Sequence, residues 1–259
     1  MFCWNGESCH DRYQTRLYWM SSTTWASEMA QGGIFSTDPT VSPFATANRA
    51  YVKYCSSDLW SGDVGASTAT FNFDFRGSRI VAAVIDSLVA NHGMGSVPGS
   101  RLLFGGCSAG AIGAMNNLDS VALQVPMMQV QGFLDASALV DVFPTGWPWS
   151  PDLLPLQLLI AEMVQAINPQ FDPKCSTMYP GTEAWKCLFG AFRMPLLQTP
   201  FFANAPQLDD FVRALAVLVG SRAYALSVFP ARRRSSMRPA TWRRAHPRSW
   251  RLLTRSNPL

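Results

Sequence analysis

A glycine-rich turn around Ser108 constrains the fold of this chain more than any other feature. An apolar run, Leu102–Phe104, enters the turn, and a helix-like segment, Ala111–Met115, leaves it. Gly106, Ser108 and Gly110 give the pattern G-x-S-x-G, whose glycines leave room for a strand and a helix to pack around a strained serine. The pattern predicts a strand, a sharp turn and a helix, with the Ser108 hydroxyl exposed as a nucleophile.

The residue after the serine, Ala109, opens the predicted helix. Helix N-termini favour negative charge because their first backbone N–H groups are unpaired and the helix dipole is positive there. The Ala109 N–H is therefore a candidate donor to an oxyanion that forms at Ser108. The alternative is an ordinary strand-to-helix turn with serine as its N-cap, since the five-residue pattern also arises by chance.

Length and composition are those of one globular domain, because 259 residues, 48% hydrophobic and 15% charged, can fill a sizeable core. Residues 1–210 carry 10 Lys and Arg against 17 Asp and Glu, a net charge of −7, whereas residues 211–259 carry 11 Arg and no acid. We predict a folded domain over residues 1–211 and an Arg-rich tail over residues 212–259 that is disordered or foreign to the fold. Binding of nucleic acid or another polyanion is the less favoured interpretation of this tail.

Periodicity on both sides of the turn predicts an α/β fold. Residues 77–91 carry an apolar stripe at helical spacing, and Gly93 suits the C-cap. Strands are predicted at residues 51–55, 102–104, 125–134 and 196–203. Because strands and helices alternate, the sheet is expected to be mainly parallel and flanked by helices.

The polar segment Ser56–Asp63 follows the first predicted strand. Open α/β sheets bind their ligands at the carboxyl ends of their strands, so this segment is predicted to be a ligand-binding loop.

Six cysteines are many for a reduced cytosolic enzyme and suggest disulfide bonds. Cys3 and Cys9 flank a polar turn of five residues that a disulfide could close, and Cys175 and Cys187 could be joined in the same way. Zinc bound by Cys3, Cys9 and His10 is a weaker alternative, because no fourth ligand has suitable spacing. No metal and no cofactor are predicted.

Neither end of the chain shows a clear targeting or membrane segment. Met1 is not followed by a basic region and an apolar region, so no signal peptide is visible. The apolar stretch Val212–Phe229 is interrupted by Arg213 and Arg222, so no membrane span is predicted.

Together these motifs resemble the notum and pectin acetylesterase family of secreted carboxylesterases. The resemblance covers residues 1–211 and rests on the following blocks: the Cys3–Cys9 segment beside Trp4, Tyr54–Asp63, Phe75–Gly77, Gly106–Gly110, Asn117–Asp119, and Thr199–Phe202 leading to Asp209. It implies a secreted protein with an α/β-hydrolase-like sheet that is incomplete at the N-terminus, because the family's oxyanion segment and earlier strands would precede Cys3.

The resemblance also implies a catalytic triad. Ser108 is expected to be the nucleophile, Asp209 the acid that orients a histidine, with Asp210 as the alternative acid, and the Ala109 N–H an oxyanion donor. His246 is the histidine with the right chain order, but Trp242–Arg248 around it does not resemble the family's histidine segment.

The function implied is hydrolysis of carboxylic esters through an acyl-serine intermediate. An O-acetyl group on a polysaccharide such as pectin is the favoured substrate, because Gly106–Ser108 resembles the pectin acetylesterase form of the turn. A fatty acyl group on a signalling protein is the alternative. A third interpretation is a catalytically inactive protein that binds a ligand in its pocket or an anion through its basic tail. The sequence gives no indication of oligomeric state.

Overall fold

A computed structural model describes residues 2–137, 139 and 156–205 of the chain. Its centre is a parallel sheet of three strands in the order β1-β2-β3. The strands are β1 Arg101–Cys107, β2 Gln129–Asp135 and β3 Phe201–Asn204. The predicted α/β class and parallel strand arrangement are confirmed.

Helices account for most of the remaining regular structure in the described residues. The α-helices are α1 Gly6–Thr15, α2 Gly77–His92, α3 Ala109–Gln124, α4 Leu156–Ile167, α5 Pro173–Met178 and α6 Gly190–Arg193. Short 3₁₀ segments occupy Leu17–Trp19, Gly33–Phe35, Thr68–Thr70, Gly181–Leu188 and Met194–Leu196. Helix α2 was predicted to within one residue, and Gly93 ends it in the left-handed conformation at φ 67°.

Helix α3 packs on β1 and β2 and places the core on that side of the sheet. Its side chains Ile112, Met115 and Leu118 are almost fully buried, as is Leu134 of β2. Helix α2 packs beside α3, and side chains of α4 extend the apolar core. The β1 strand alternates between partly buried and exposed residues, so its buried side is the one that faces α3.

The predicted strands 125–134 and 196–203 begin later than expected, and in both cases backbone hydrogen bonds explain the shift. The Met128 N–H donates to the Val125 carbonyl in a turn, and β2 begins at Gln129. The Gln198 and Thr199 N–H groups donate to the Asp119 carboxylate, so they are not free to join the ladder, and β3 begins at Phe201.

The predicted strand at residues 51–55 is wrong, because this segment has no regular secondary structure. Its β-prone side chains serve local packing instead. The Tyr54 ring lies 5.1 Å from the Trp60 ring, and its hydroxyl accepts a hydrogen bond from the Leu59 N–H at 2.7 Å. The segment after it, residues 56–62, is buried and does not form an open loop at a strand end.

Both predicted disulfides are confirmed: Cys3 is bonded to Cys9, and Cys175 to Cys187. The cysteines of the first pair are therefore not available as zinc ligands. The segment between them is helical and not a simple turn, because Asn5 and Ser8 form a capping box that starts α1 at Gly6.

Metal-ligand clusters and membrane-spanning helices are both absent from the described residues. No group of three or more His, Cys, Asp and Glu side chains in this part of the chain is arranged to hold a metal ion. None of its helices combines the length and the apolar character that crossing a bilayer needs.

Candidate active site

Ser108 lies between β1 and α3 in a backbone conformation that L-residues rarely adopt, at φ 55° and ψ −121°. Such conformations persist only where the surrounding structure holds them. Here the Ser108 N–H donates to the carbonyl of Asp135 on β2 at 2.9 Å, and the Ser108 carbonyl accepts from Ala111 and Ile112. The turn is thus fixed on one side by the sheet and on the other by the first turn of α3.

Close backbone approach explains the glycines of the turn. A Cβ atom on Gly106 would lie 2.5 Å from the carbonyl carbon and oxygen of Gly110, so a side chain there would separate the strand from the helix. A Cβ atom on Gly105 would overlap the Phe133 carbonyl of β2. Gly110 has open space around its own Cβ position, so its partner Gly106 is the residue that makes the packing possible.

The N-terminus of α3 lies directly after Ser108. The first N–H groups of a helix have no carbonyl one turn earlier to bind, and the helix dipole adds partial positive charge there. Ala109 is the first residue of this 16-residue helix and is partly buried. The structure therefore brings the predicted nucleophile and the predicted oxyanion donor together, as adjacent residues of one turn.

The carboxyl ends of β2 and β3 lie beside the turn. Cys107 pairs with Asp135, and Asp135 pairs with Asn204 in the parallel ladder. The Asn204 side chain donates to the Asp135 carboxylate at 2.7 Å, and the Ala136 N–H donates to the Asn204 carbonyl. These bonds fix the point where the chain leaves β3, at the same sheet edge as Ser108.

The C-terminal half of α3 is anchored to the segment before β3 through a buried carboxylate. Besides the two backbone N–H groups that precede β3, Asp119 contacts Arg193 with 3.3 Å between Oδ2 and Nη2. Arg193 is fully buried and its Nη1 lies 3.9 Å from Asp172. Asp119 thus fixes the position of the strand that precedes Asp209 relative to the helix that follows Ser108.

One side of the N-terminal turn of α3 faces the apolar core. Ala109 packs against a buried apolar cluster. The cluster includes Phe2, Leu139, Leu188 and Phe189. The side of this turn that meets the cluster is therefore apolar.

Asp209, Asp210 and His246 lie outside the described residues. Strand β3 ends at Asn204, five residues before Asp209 along the chain. The roles of these three residues as acid, alternative acid and base remain predictions from chain order.

Sequence reasoning did not single out Asp58, which is completely buried in the segment 56–62. Burial raises the pKa of its carboxyl above the usual value, and hydrogen bonds from Ser56 and from three backbone N–H groups oppose that rise. The available signal was an aspartate among the serines and the glycine of Ser56–Gly62, a composition that is also typical of an exposed turn.

Comparison with known proteins gives consistent matches. A model of the pectinacetylesterase family matches residues 1–221. The palmitoleoyl-protein carboxylesterase NOTUM of Drosophila melanogaster is 31% identical over 220 residues, which cover 80% of this chain and 31% of that protein. The human protein of the same name is 31% identical over 218 residues, which cover 81% of this chain and 43% of that protein.

A solved structure shares the arrangement of strands and helices. The structure of the Wnt deacylase Notum from Drosophila superposes with a TM-score of 0.76 at 30% sequence identity. The match covers 85% of this chain and 64% of the solved one. The chain therefore spans less than half the length of the two curated relatives above, and about two thirds of the solved structure.

Proposed function

Because this chain belongs to the pectinacetylesterase family, we propose that it hydrolyses carboxylic esters through an acyl intermediate on Ser108. The observation that carries the proposal is the strained conformation of Ser108 at the junction of β1 and α3. Such strain costs free energy, so the surrounding structure must support it. The conformation places the Ser108 hydroxyl group at the N-terminus of α3.

In the proposed reaction the Ser108 Oγ attacks the ester carbonyl carbon and transfers its proton to a base. The carbonyl oxygen becomes an oxyanion, to which the Ala109 N–H donates a hydrogen bond. The alcohol leaves with the proton that the base returns, and water then hydrolyses the acyl-serine by the same steps. His246 is proposed as the base and Asp209 as the carboxylate that orients it, with Asp210 as the alternative.

The proposed substrate is an ester between a fatty acyl group and a protein. Two observations support it: the curated relatives described above are palmitoleoyl-protein carboxylesterases, and Ala109, beside Ser108, packs against an apolar cluster. An acetyl group on pectin or a similar polysaccharide is the second candidate, supported by the description of the matching family and by the sequence Gly106–Ser108. Either substrate, and the two disulfides, fit a protein that acts outside the cell.

Hydrolysis of 4-nitrophenyl esters tests the reaction. The chain is compared with Ser108→Ala and with Ser87→Ala, a serine on the solvent side of α2, after each is shown to be folded. We expect activity in the chain and in Ser87→Ala and none above background in Ser108→Ala. A folded chain without activity, or an active Ser108→Ala variant, would contradict the proposal.

The acyl chain and the base are tested in the same assay. A kcat/KM that is higher for the octanoate than for the acetate ester supports a fatty acyl substrate, and the reverse order supports an acetyl substrate. Substitution His246→Ala is expected to remove most of the activity, because a serine without a base is a weak nucleophile. Full activity in His246→Ala would assign the base to another residue.

A further inference from the structure

A buried carboxylate organises the segment that packs behind the nucleophile helix. Both oxygens of Asp58 are saturated with hydrogen bonds, two to each oxygen. Oδ1 accepts from the Ser56 hydroxyl and from the Trp60 N–H at 3.0 Å, and Oδ2 accepts from the N–H groups of Gly62 at 3.1 Å and Gly77 at 2.8 Å. A carboxylate has four lone-pair positions in its plane, so none of its capacity is left for solvent or ligand.

The backbone that Asp58 holds is strained. Ser57, Leu59 and Trp60 have φ angles of 48°, 56° and 62°, in the left-handed region that bulky residues rarely adopt. Such a run persists only where neighbouring groups hold it in place. The hydrogen bonds that Trp60 and Gly62 donate to Asp58 close the segment on itself, and the bond from Gly77 ties it to the first residue of α2.

The same segment contacts α3 through Trp60. A Cβ atom on Gly113 would overlap the Trp60 side chain, so the indole lies directly on the helix backbone at this point. One turn further along α3, the Asn117 side chain donates to the Trp60 carbonyl at 2.9 Å. Gly113 and Asn117 lie on one face of α3, because residues four apart in a helix are neighbours.

These contacts connect Asp58 to the turn at Ser108. Helix α3 begins at Ala109, directly after the nucleophile, and it is a rigid element along which a shift at Gly113 reaches the first turn. The peptide N–H groups of Ala111 and Ile112 donate to the Ser108 carbonyl at 2.9 and 3.0 Å. Ser108 is thus bonded to the first turn of the helix on which the Trp60 segment, residues 56–62, packs.

We propose that Asp58 is a positioning residue for Ser108, which acts by holding the Trp60 segment against Gly113 and Asn117 of α3. The proposal rests on the proposed ester hydrolase function, since it assigns a role in that reaction. A residue that only stabilises the fold would lower stability when it is replaced. Loss of the Asp58 hydrogen bonds is expected to displace Ser108 as well.

The variant Asp58→Asn keeps the shape of the side chain but replaces one acceptor oxygen by an NH₂ group, which faces two donors. The measurements are the rate at which a fluorophosphonate probe labels Ser108, and kcat and KM for an ester substrate. We expect the labelling rate and kcat to fall between about 10-fold and about 100-fold, with KM within about twofold, because a small misplacement of a reacting group has effects of this size.

Met163→Ala provides a control of matched stability. Met163 is fully buried on α4 and belongs neither to the Trp60 segment nor to α3. Its truncation leaves a cavity in the apolar cluster that it shares with Leu59 and Ile112, which lowers the thermal unfolding midpoint without removing a hydrogen bond of the proposed link. We expect its labelling rate to remain within about twofold of the unaltered chain. Equal labelling rates in Asp58→Asn and Met163→Ala at matched midpoints would overturn the proposal.

Amide hydrogen exchange tests the link without relying on activity. In Asp58→Asn the amides of Ala111 and Ile112 should exchange faster, since their acceptor is the Ser108 carbonyl, whereas in Met163→Ala they should not. If the unaltered chain is not labelled at Ser108, the proposed function fails, and exchange alone decides the positioning role. Unchanged protection of both amides in Asp58→Asn then overturns it.

Substitution Asn117→Ala removes the bonds from this side chain to the Trp60 and Gly113 carbonyls, and it serves where Asp58→Asn does not fold. We expect it to lower the labelling rate about 10-fold. In the double variant with Asp58→Asn the loss should be close to that of the larger single variant, because both changes break one chain of contacts. An unchanged rate in Asn117→Ala, or a double-variant loss equal to the product of the single losses, counts against the proposal.

Discussion

The turn at Ser108 and the segment Ser57–Trp60 both hold non-glycine residues in left-handed backbone conformations beside α3, but by different means. At Ser108 the strain is held by backbone hydrogen bonds and by the space that Gly106 leaves for Gly110. In the Ser57–Trp60 segment it is held by side chains: Asp58 accepts from the Trp60 N–H, and the Tyr54 hydroxyl accepts from the Leu59 N–H. Each left-handed residue costs of the order of 1–3 kcal/mol, so both segments depend on their supports.

This difference determines how visible each segment is in the sequence. Support by close backbone packing needs glycines at fixed spacing, so it is visible in the sequence as a pattern such as G-x-S-x-G. Support by a side chain needs one aspartate and the N–H donors around it. One of these donors, the Gly77 N–H, is 19 residues away along the chain, so it leaves no local pattern. The comparison predicts that the Ser108 turn is sensitive to loss of space, and the Asp58 segment to loss of hydrogen bonds and of space near them.

The largest loss of stability and of ester hydrolysis is expected for Gly106→Ala. Gly110→Ala, in the same turn, is the matched variant. The added methyl group on Gly106 would meet the Gly110 backbone, which cannot move without separating β1 from α3. We expect a loss of about 3 kcal/mol in the free energy of unfolding and a fall of about 100-fold or more in ester hydrolysis. Urea unfolding and initial rates measure the two quantities.

Gly110→Ala should be close to neutral in stability, because no atom outside its chain neighbours and its own helix backbone lies within 4 Å of its Cβ position, and alanine has the higher helix propensity. Equal losses in the two variants would mean that clearance between strand and helix is not what the glycines of this turn provide. That result would contradict the statement that close packing at Gly106 supports the Ser108 turn.

A smaller effect is expected for Gly77→Ala, compared with Gly32→Ala. A Cβ atom on Gly77 would overlap the Asp58 carboxylate and lie 2.5 Å from the Trp60 Cα, whereas Gly32 has no atom within 4 Å of its Cβ position. We expect Gly77→Ala to lower the free energy of unfolding by about 2 kcal/mol and Gly32→Ala to leave it within about 0.5 kcal/mol. Urea unfolding of both variants checks the difference. Similar midpoints would show that the Trp60 segment accommodates the added methyl group at little cost in stability.

The sequence predicted those parts of the molecule that repeat a local pattern. Helix α2 followed from its apolar stripe and Gly93, and the strand, turn and helix around Ser108 followed from glycine spacing. The strand predicted at residues 51–55 failed because β-propensity describes a surface that fits a neighbouring strand, whereas Tyr54 instead packs on Trp60.

The supports of the site depend on contacts between distant residues, so they could not be predicted in the same way. Asp119 binds backbone groups 79 and 80 residues later, and Asp135 binds the side chain of Asn204, 69 residues later. A local pattern carries no information on which distant donor a carboxylate will meet. The turn at Ser108 could therefore be predicted from sequence, whereas the residues that hold it in place required the structure.

The smallest effect expected concerns pH, and it compares Asp58 with the exposed Asp74. Burial raises the pKa of Asp58, so its contribution to stability is fully present below the usual carboxyl pKa and is lost as pH rises through the raised value. The Arg76 side chain lowers the pKa of Asp74, whose contribution is present above the usual pKa and is lost as pH falls through the lowered value. The stability contributions of the two carboxyl groups are therefore expected to change with pH in opposite directions.

Urea unfolding between pH 3 and pH 8 measures these slopes in the unaltered chain, in Asp58→Asn and in Asp74→Asn. The stability difference between the chain and Asp58→Asn should grow as pH falls towards the usual carboxyl range, whereas that for Asp74→Asn should shrink. The second difference should stay below about 1 kcal/mol, because the Asp74–Arg76 pair is solvent-exposed. A difference for Asp58→Asn that shrinks with falling pH would mean that its four hydrogen bonds outweigh burial, and that Asp58 holds its segment more strongly as a carboxylate than as a neutral acid.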